Sequence, residues 1–254
     1  MTTTSSLTAL AATLLLTGPL LAQEPAPTPS ETPTQTPSAT PTETPEETPA
    51  VDPQEGLEVF PLRQGFRWKY QMRWSIEPTT KDDQELPAEE SVQSVEVYVA
   101  QPQVVAGQPA SVVEWKLDGD LSQRSYFVVR GRSILCVKRI QGFGEHMKEF
   151  TMEPGQPFVR EALQVGDTWT WEGKVNGVDA KQRFTVLREE QLETPSGTFP
   201  TVVLQVEYTG EDDSRGWTRR WLAPGIGVVK DESEVTTPDS VFRTESILLS
   251  YEAP

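Results

Sequence analysis

Hydrophobic and polar residues alternate without a break from Phe66 to Trp74. Successive side chains of a β-strand point to opposite faces of the sheet, so this pattern predicts a half-buried antiparallel strand. Its hydrophobic face consists of Phe66, Trp68, Tyr70, Met72 and Trp74. Its polar face consists of Arg67, Lys69, Gln71 and Arg73. We expect these cations to pair with glutamates on neighbouring strands, for example Glu96 or Glu207.

The lead-in to this strand recurs later in the chain. Leu62-Arg-Gln-Gly65-Phe-Arg-Trp68-Lys-Tyr70 is matched by Leu163-Gln-Val-Gly166-Asp-Thr-Trp169-Thr-Trp171. A repeated unit that cannot bury its own hydrophobic face is expected to pack on its twin. The sequence therefore predicts one β-domain over 56–254 that contains two similar halves, at about 60–140 and 161–254.

Shorter alternating stretches fill both halves and are separated by turn residues. They include Val95 to Val99, Val113 to Leu117, Val202 to Tyr208 and Phe242 to Tyr251. Asn176-Gly177 is a strong signal for a two-residue hairpin, because both residues accept a positive φ. Residues 140–159 show little alternation and are interpreted as the connection between the halves, with one helical turn. The predicted fold class is all-β, or β with one or two short helices, as a curved antiparallel sheet or half-barrel of roughly nine or ten strands.

The N-terminal residues differ in composition from the rest. Residues 7–22 form an apolar run that ends in small residues, which predicts a signal peptide over 1–22 with cleavage after Ala22. From Pro25 to Pro53 a proline falls at every fourth position, and threonine precedes most of these prolines. Such a segment lacks side chains to bury, so 23–55 is predicted to be a disordered, semi-rigid stalk. After cleavage we expect no integral membrane span.

Charge and cysteine content exclude several classes of function. The net charge of −16 divides into −7 before Gly56 and −9 after it. Acidic surfaces on both parts argue against binding to nucleic acid. The single cysteine, Cys136, excludes an internal disulfide and a multi-cysteine metal site, and its place in a strand predicts a buried residue. The sequence indicates no cofactor and no metal site.

Candidate catalytic residues are few. His146 is the only histidine, so no Ser-His-Asp triad or histidine metal cluster can be assembled. If the protein were a hydrolase acting on a surface polymer, the acid-base residues would be Glu145 and His146, which lie together, or a pair of carboxylates that the sequence does not place. Enzyme activity stays open on this basis, and a function without catalysis is favoured.

The aromatic faces of the two related strands suggest a ligand site. If the sheet is only half closed, its aromatic side chains would line a groove for an acyl chain or another apolar ligand. If the sheet is fully packed, the same side chains are core. The candidate ligand-binding residues are Trp68, Tyr70, Trp74, Trp115, Trp169 and Trp171.

Three segments of the second half carry a resemblance to known proteins. They are Leu163 to Trp171, Pro195-Ser-Gly-Thr-Phe199 and Trp221-Leu-Ala-Pro-Gly-Ile-Gly-Val-Val-Lys230. These motifs resemble those of families of exported bacterial β-domains of unassigned function, many of them lipoproteins. The resemblance implies a curved sheet similar to that of periplasmic lipoprotein carriers, and it implies no catalytic residues. This chain departs from the pattern because no cysteine for lipid attachment follows the apolar run.

Taken together, these features predict an exported cell-envelope domain without enzymatic activity, located in the periplasm, on the cell surface or outside the cell. Its expected partner is an apolar ligand or another envelope protein. A structural scaffold on a stalk, with no small ligand, is the first alternative, and the hydrolase is the second. The oligomeric state is left open.

Overall fold

The computed structural model describes residues 56–78, 89–209 and 214–254. The predicted signal peptide at 1–22 and the predicted stalk at 23–55 lie outside the described residues. Within those three ranges, no helix has the length and apolar character needed to cross a membrane.

The described residues form an antiparallel barrel preceded by a short hairpin. The strands are β1 Gly56–Leu57, β2 Phe60–Pro61, β3 Arg67–Pro78, β4 Glu89–Val105, β5 Gln108–Leu117, β6 Asp120–Arg130, β7 Ser133–Gln141, β8 Lys148–Arg160, β9 Thr168–Val175, β10 Val178–Thr194, β11 Gly197–Thr209, β12 Arg215–Ala223, β13 Gly227–Thr236 and β14 Ser240–Glu252. Within the described ranges, β3 to β14 make a closed barrel of twelve strands in chain order, with β14 paired to β3. The predicted all-β class is confirmed, and the sheet closes fully instead of remaining half open.

The related lead-in segments make the same local structure. The amide of Gly65 donates to Val99 O, and the amide of Val99 donates to Phe66 O, both at 2.9 Å. In the second half, the amide of Gly166 donates to Val186 O and that of Val186 donates to Asp167 O, again at 2.9 Å. Each lead-in therefore docks on the second strand of its own half in the same way. That the whole domain consists of two duplicated halves stays a prediction.

Strand β3 has the predicted faces. Trp68, Tyr70 and Met72 are buried in the barrel interior, and Arg67 and Lys69 are exposed. The expected pairing of an outward cation is present, because Arg67 lies 3.3 Å from Glu96 on β4. The other strands contribute alternate residues to the same interior, which contains one large hydrophobic cluster. Cys136 is buried, as predicted, and burial raises the pKa of its thiol.

The interpretation of 140–159 as a connection was wrong for its second part. The segment holds one 3₁₀ turn, Gly144–His146, and is followed by the thirteen-residue strand β8. Pro154, Gly155 and Pro157 interrupt the alternation of that strand. At this point β8 departs from regular pairing with β7, which allows prolines in the strand.

The N-terminal hairpin closes one end of the barrel. Leu57, Phe60 and Leu62 are buried, and the Phe60 ring lies 4.7 Å from that of Phe158 and 5.7 Å from that of Trp68. The amide of Gly225, in the turn between β12 and β13, donates to Glu58 O at 2.7 Å. We call this end, closed by residues 56–62, the plug end, and the opposite end of the barrel the far end.

Candidate functional site

An open cleft of about 790 Å³ lies toward the far end of the barrel. Strands β3, β4, β12, β13 and β14 form it, and its apolar lining includes Trp74, Val92 and Trp217. Val92 is 57% exposed, which is high for a valine on a strand. Trp74 and Trp217 are half-buried. The cleft therefore offers apolar contact area at the edge of the packed interior, because Trp74 also packs against the core.

Gly216 explains how the cleft and the interior meet at β12. A Cβ atom at this position would collide with the hydroxyl of Tyr208, so only glycine leaves room for that side chain. Tyr208 is thereby held against the inner face, where it packs on Ile76, Val235 and Phe242. The next residue, Trp217, points outward, and the guanidinium of Arg219 lies 4.5 Å from its ring centroid. A cation over an indole face at a surface is worth about 0.5–1 kcal/mol, so this contact helps to hold the tryptophan in place.

Charged residues surround the apolar lining and leave it acidic. Arg243 is shared between Glu77 at 2.7 Å and Glu234 at 2.8 Å. Donation to Glu77 and Glu234 raises the pKa of Arg243. Because one cation faces two carboxylates here, the cluster keeps a surplus negative charge.

A second cation close to the cleft is also shared between two glutamates. Lys230 is shared between Glu232 at 2.8 Å and Glu245 at 2.9 Å. Burial acts to lower the pKa of Lys230, but its hydrogen bonds to both glutamates outweigh this effect and raise it. Glu90 and Arg73 complete the charged lining and balance each other. The residues that line the cleft include four carboxylates and two guanidinium groups, so two carboxylates are in excess among them.

A second open cleft, of about 590 Å³, is lined by β8, β9, β10 and the end of β11. Four of its five charged residues form two ion pairs, Lys174 with Asp179 at 2.8 Å and Lys181 with Glu172. No aromatic side chain belongs to its described lining. This surface offers exposed ion pairs, which are worth little energetically, and it is the weaker candidate.

The structure separates the six predicted aromatic site residues. Trp68, Tyr70, Trp115 and Trp171 are buried in the barrel core. The Trp68 indole donates to Ile226 O at 2.6 Å, and the Tyr70 hydroxyl donates to Val228 O at 2.8 Å. Trp171 donates to Pro154 O at 3.2 Å. The first two bonds join β3 to β13 and the turn before it, across the intervening β14, and the third joins the neighbouring strands β8 and β9. All three have a structural role.

The remaining two aromatic residues have different surroundings. Trp74 reaches the cleft at the far end. Trp169 stacks on Phe184 with 5.0 Å between ring centroids, and the Arg160 guanidinium covers it at 4.0 Å. The six residues therefore do not line one groove on the surface. A ligand-binding role for this set stays a prediction.

Glu145 and His146 are exposed on the 3₁₀ turn. The neighbouring Glu149 makes an ion pair of 2.7 Å with Lys138 on the adjacent strand. Within the described residues, the structure groups no three histidine, cysteine or acidic side chains in a manner that could hold a metal ion.

The barrel interior also holds a polar layer that sequence reasoning missed. Its members include Gln123, Arg139, Arg220 and Asp231, all buried. Arg139 donates to Gln156 Oε1 at 3.3 Å, and burial lowers its pKa. Arg220 donates to Phe158 O at 3.2 Å and stacks on the Phe158 ring at 4.6 Å. Within this layer the guanidinium of Arg220 faces the carboxylate of Asp231.

No family model matches the chain, and no curated protein matches it. Three solved structures are similar to it. An inferred lipoprotein of Parabacteroides distasonis has 11% identity and a TM-score of 0.44, covering 78% of this chain and 100% of its own. An exported protein of Bacteroides fragilis with a YmcC-like fold, also an inferred assignment, has 16% identity and a TM-score of 0.41, covering 76% of this chain and 98% of its own.

The third structure is the hypothetical lipoprotein YmcC of Escherichia coli K12. It has 14% identity and a TM-score of 0.34, covering 73% of this chain and 85% of its own. All three names place these proteins among the exported proteins and lipoproteins that the motifs of this chain resemble. The likeness at these TM-scores is loose.

Proposed function

We propose that the protein is an exported, non-enzymatic binding domain that takes a segment of an envelope partner protein in the cleft formed by β3, β4 and β12 to β14. The observation that carries this proposal is the pair of half-buried tryptophans, Trp74 and Trp217, at a cleft with two carboxylates in excess. Aromatic anchors with a charged rim are typical of protein interfaces. The complementary partner segment has an apolar side chain and at least one lysine or arginine.

The position of the cleft supports this role. The predicted stalk would join the domain at Gly56, in the hairpin that closes the plug end. The C-terminal Pro254 lies at the same end, where the Arg63 side chain donates to its backbone oxygen at 3.3 Å. A stalk fixed to the plug end would present the far end, and the cleft there, away from the point of attachment. Export itself is proposed from the apolar run and small residues at the N-terminus.

Two valines of β4 provide a matched pair for the test. Val92 lines the cleft and is 57% exposed, whereas Val104 lies toward the plug end of the same strand and is 73% exposed. A photo-crosslinking amino acid would be placed at either position in the full chain, produced in its own organism. We expect Val92 to crosslink a specific envelope protein and Val104 not to do so.

The acidic surplus provides the second half of this test. Glu232→Gln with Glu245→Gln removes two carboxylates from the cleft, and both keep the side-chain length. We expect this double variant to lower the crosslinking yield at Val92 at least several-fold. The proposal would be overturned if Val92 and Val104 crosslinked equally, or if the crosslinking yield at Val92 were the same in the double glutamine variant and in the wild type. Recovery of an acyl species by mass spectrometry would instead favour the predicted apolar ligand.

A further inference from the structure

A small cavity of about 10 Å³ lies inside the barrel, apart from the cleft. Its polar lining consists of Tyr70 on β3, Trp115 on β5, Asp231 on β13 and Ser246 on β14. Its apolar lining consists of Val95, Val97 and Val228. A cavity of about 10–15 Å³ accommodates one water molecule, and nothing larger fits.

Three of the polar side chains around this cavity have hydrogen-bonding atoms without a partner. They are the indole nitrogen of Trp115, the hydroxyl of Ser246 and both carboxylate oxygens of Asp231, of which Oδ2 has only the ion pair with Arg220 at 3.6 Å. Each is buried, and a buried polar atom without a hydrogen bond is unfavourable. Three such groups on one cavity of this size are unusual in a folded protein.

The chemical character of the groups defines the occupant. Trp115 offers only a donor and Asp231 offers acceptors, while Ser246 can do either. Tyr70 already donates to Val228 O, so its oxygen is left to accept. A cation is disfavoured because the Trp115 N–H group points into the site, and an anion is disfavoured by the carboxylate. A molecule that both accepts and donates satisfies all of these groups.

We propose that this cavity is a binding site for one ordered water molecule, which accepts a hydrogen bond from Trp115, donates to Asp231 and bonds to Ser246. The water joins strands that are not neighbours, since β14, β3 and β4 lie between β13 and β5 in the barrel. It therefore connects the two halves of the chain across the interior. It also solvates the carboxylate that faces Arg220 at 3.6 Å.

One wall of the cavity is apolar, so a larger side chain on that wall can displace the water while every polar group stays unchanged. Val95→Ile adds one methylene at that wall. Val99→Ile is the matched control, because Val99 is buried on the same face of β4 but does not belong to the cavity lining. Circular dichroism would establish that both variants keep the fold.

Two measurements test the proposal on the full chain. In a high-resolution crystal structure we expect density for one water within hydrogen-bond distance of Trp115, Asp231 and Ser246. In solution, oxygen-17 relaxation dispersion counts long-lived buried waters, and we expect Val95→Ile to lose one that Val99→Ile keeps. If Val95→Ile fails to fold, Trp115→Phe, which removes the donor, replaces it. A cavity without density, or equal counts in all variants, would overturn the proposal.

Discussion

The carboxylate of Asp231 faces the guanidinium of Arg220 inside the barrel, with 3.6 Å between Oδ2 and Nε. The two side chains are only 2% and 3% exposed. Burial raises the pKa of Asp231 to about 7, and Arg220 opposes this shift only in part. Burial also lowers the pKa of Arg220 to about 10. The cost of removing both charges from water therefore exceeds what their attraction restores, as is common for buried ion pairs.

Asp231 is expected to make stability depend on pH. In an unfolded chain its carboxyl ionises near the ordinary value of 3.8, whereas in the folded barrel it keeps its proton up to about 7. Between these values the folded state holds a proton that the unfolded state has lost, so the free energy of unfolding falls as pH rises from about 4 to about 7. Outside this window the contribution is constant.

Asp231→Asn tests this expectation, because the amide cannot ionise. Urea unfolding at intervals of pH should show a smaller decline across the window in the variant than in the wild type. Asp179→Asn is the control, since the Asp179 side chain is 83% exposed and should leave the slope unchanged. A variant that retains the full wild-type slope would show that the carboxylate of Asp231 is not the titrating group.

Arg220→Met tests the ion pair by removing its cation. Above pH 7 the substitution deprives Asp231 of its counterion, so the buried carboxyl must either stay charged without a partner or take up a proton. Breaking a buried ion pair in this way typically costs about 3–5 kcal/mol of stability. At pH 5 the carboxyl is protonated and the loss should be smaller. In a double-mutant cycle with Asp231→Asn, the combined loss should fall short of the sum of the single losses by about 0.5–3 kcal/mol. Strict additivity at pH 8 would contradict the pairing.

Much of the fold was predictable from local pattern. The alternation from Phe66 to Trp74 identifies a strand and its inner face, because one face is buried and the other solvated. Asn176 and Gly177 have the positive φ values, 51° and 84°, that the hairpin turn requires. These features depend only on neighbouring residues, so a single sequence contains them. The exposed Val92 and the half-buried Trp217 belong to strands that closure of the barrel brings together. A local pattern does not contain this information.

The polar layer shows why the rest could not be predicted. Ile134 and Cys136 point inward, and simple alternation would continue inward to Lys138 and leave Arg139 outside. A bulge between Cys136 and Lys138 shifts the pairing with β8, so that Arg139 is the buried residue instead. A bulge inserts one residue and exchanges the faces that follow it. Periodicity alone does not reveal such a shift.

Phe60→Ala tests the hairpin that closes the plug end. The ring contacts Trp68 and Phe158 and is 1% exposed, so its removal leaves a cavity at the end of the core. A loss of about 3–5 kcal/mol in the free energy of unfolding is expected. Val104→Ala, at an exposed position, should change it by less than about 0.5 kcal/mol. If both substitutions have equally small effects, the hairpin is not an integral part of the core.

Asn176 is expected to stabilise the contact between β8 and β9, which is the weakest strand pairing in the barrel. In the described ranges β8 pairs with β9 at only two positions, Met152 with Val175 and Glu153 with Lys174. Asn176 stabilises this contact, since its Oδ1 accepts a hydrogen bond from the Thr151 amide at 2.8 Å and its Nδ2 donates one to Glu149 O at 2.9 Å. Asn176→Gly keeps the backbone conformation and loses these bonds, so a destabilisation of about 1–3 kcal/mol is expected.

Asn176→Ala separates the side-chain bonds from the turn geometry. Alanine loses the same hydrogen bonds and also resists the φ of 51°, which adds about 1–2 kcal/mol to the loss. Hydrogen exchange should locate the damage, because the Thr151 amide would exchange faster in both variants while amides in β3 and β4 stay protected. If Asn176→Gly is as stable as the wild type, the side chain contributes nothing and the turn conformation alone closes the barrel. If the Thr151 amide exchanges faster only when the amides of β3 and β4 do so too, the contact between β8 and β9 does not open independently of the rest of the barrel.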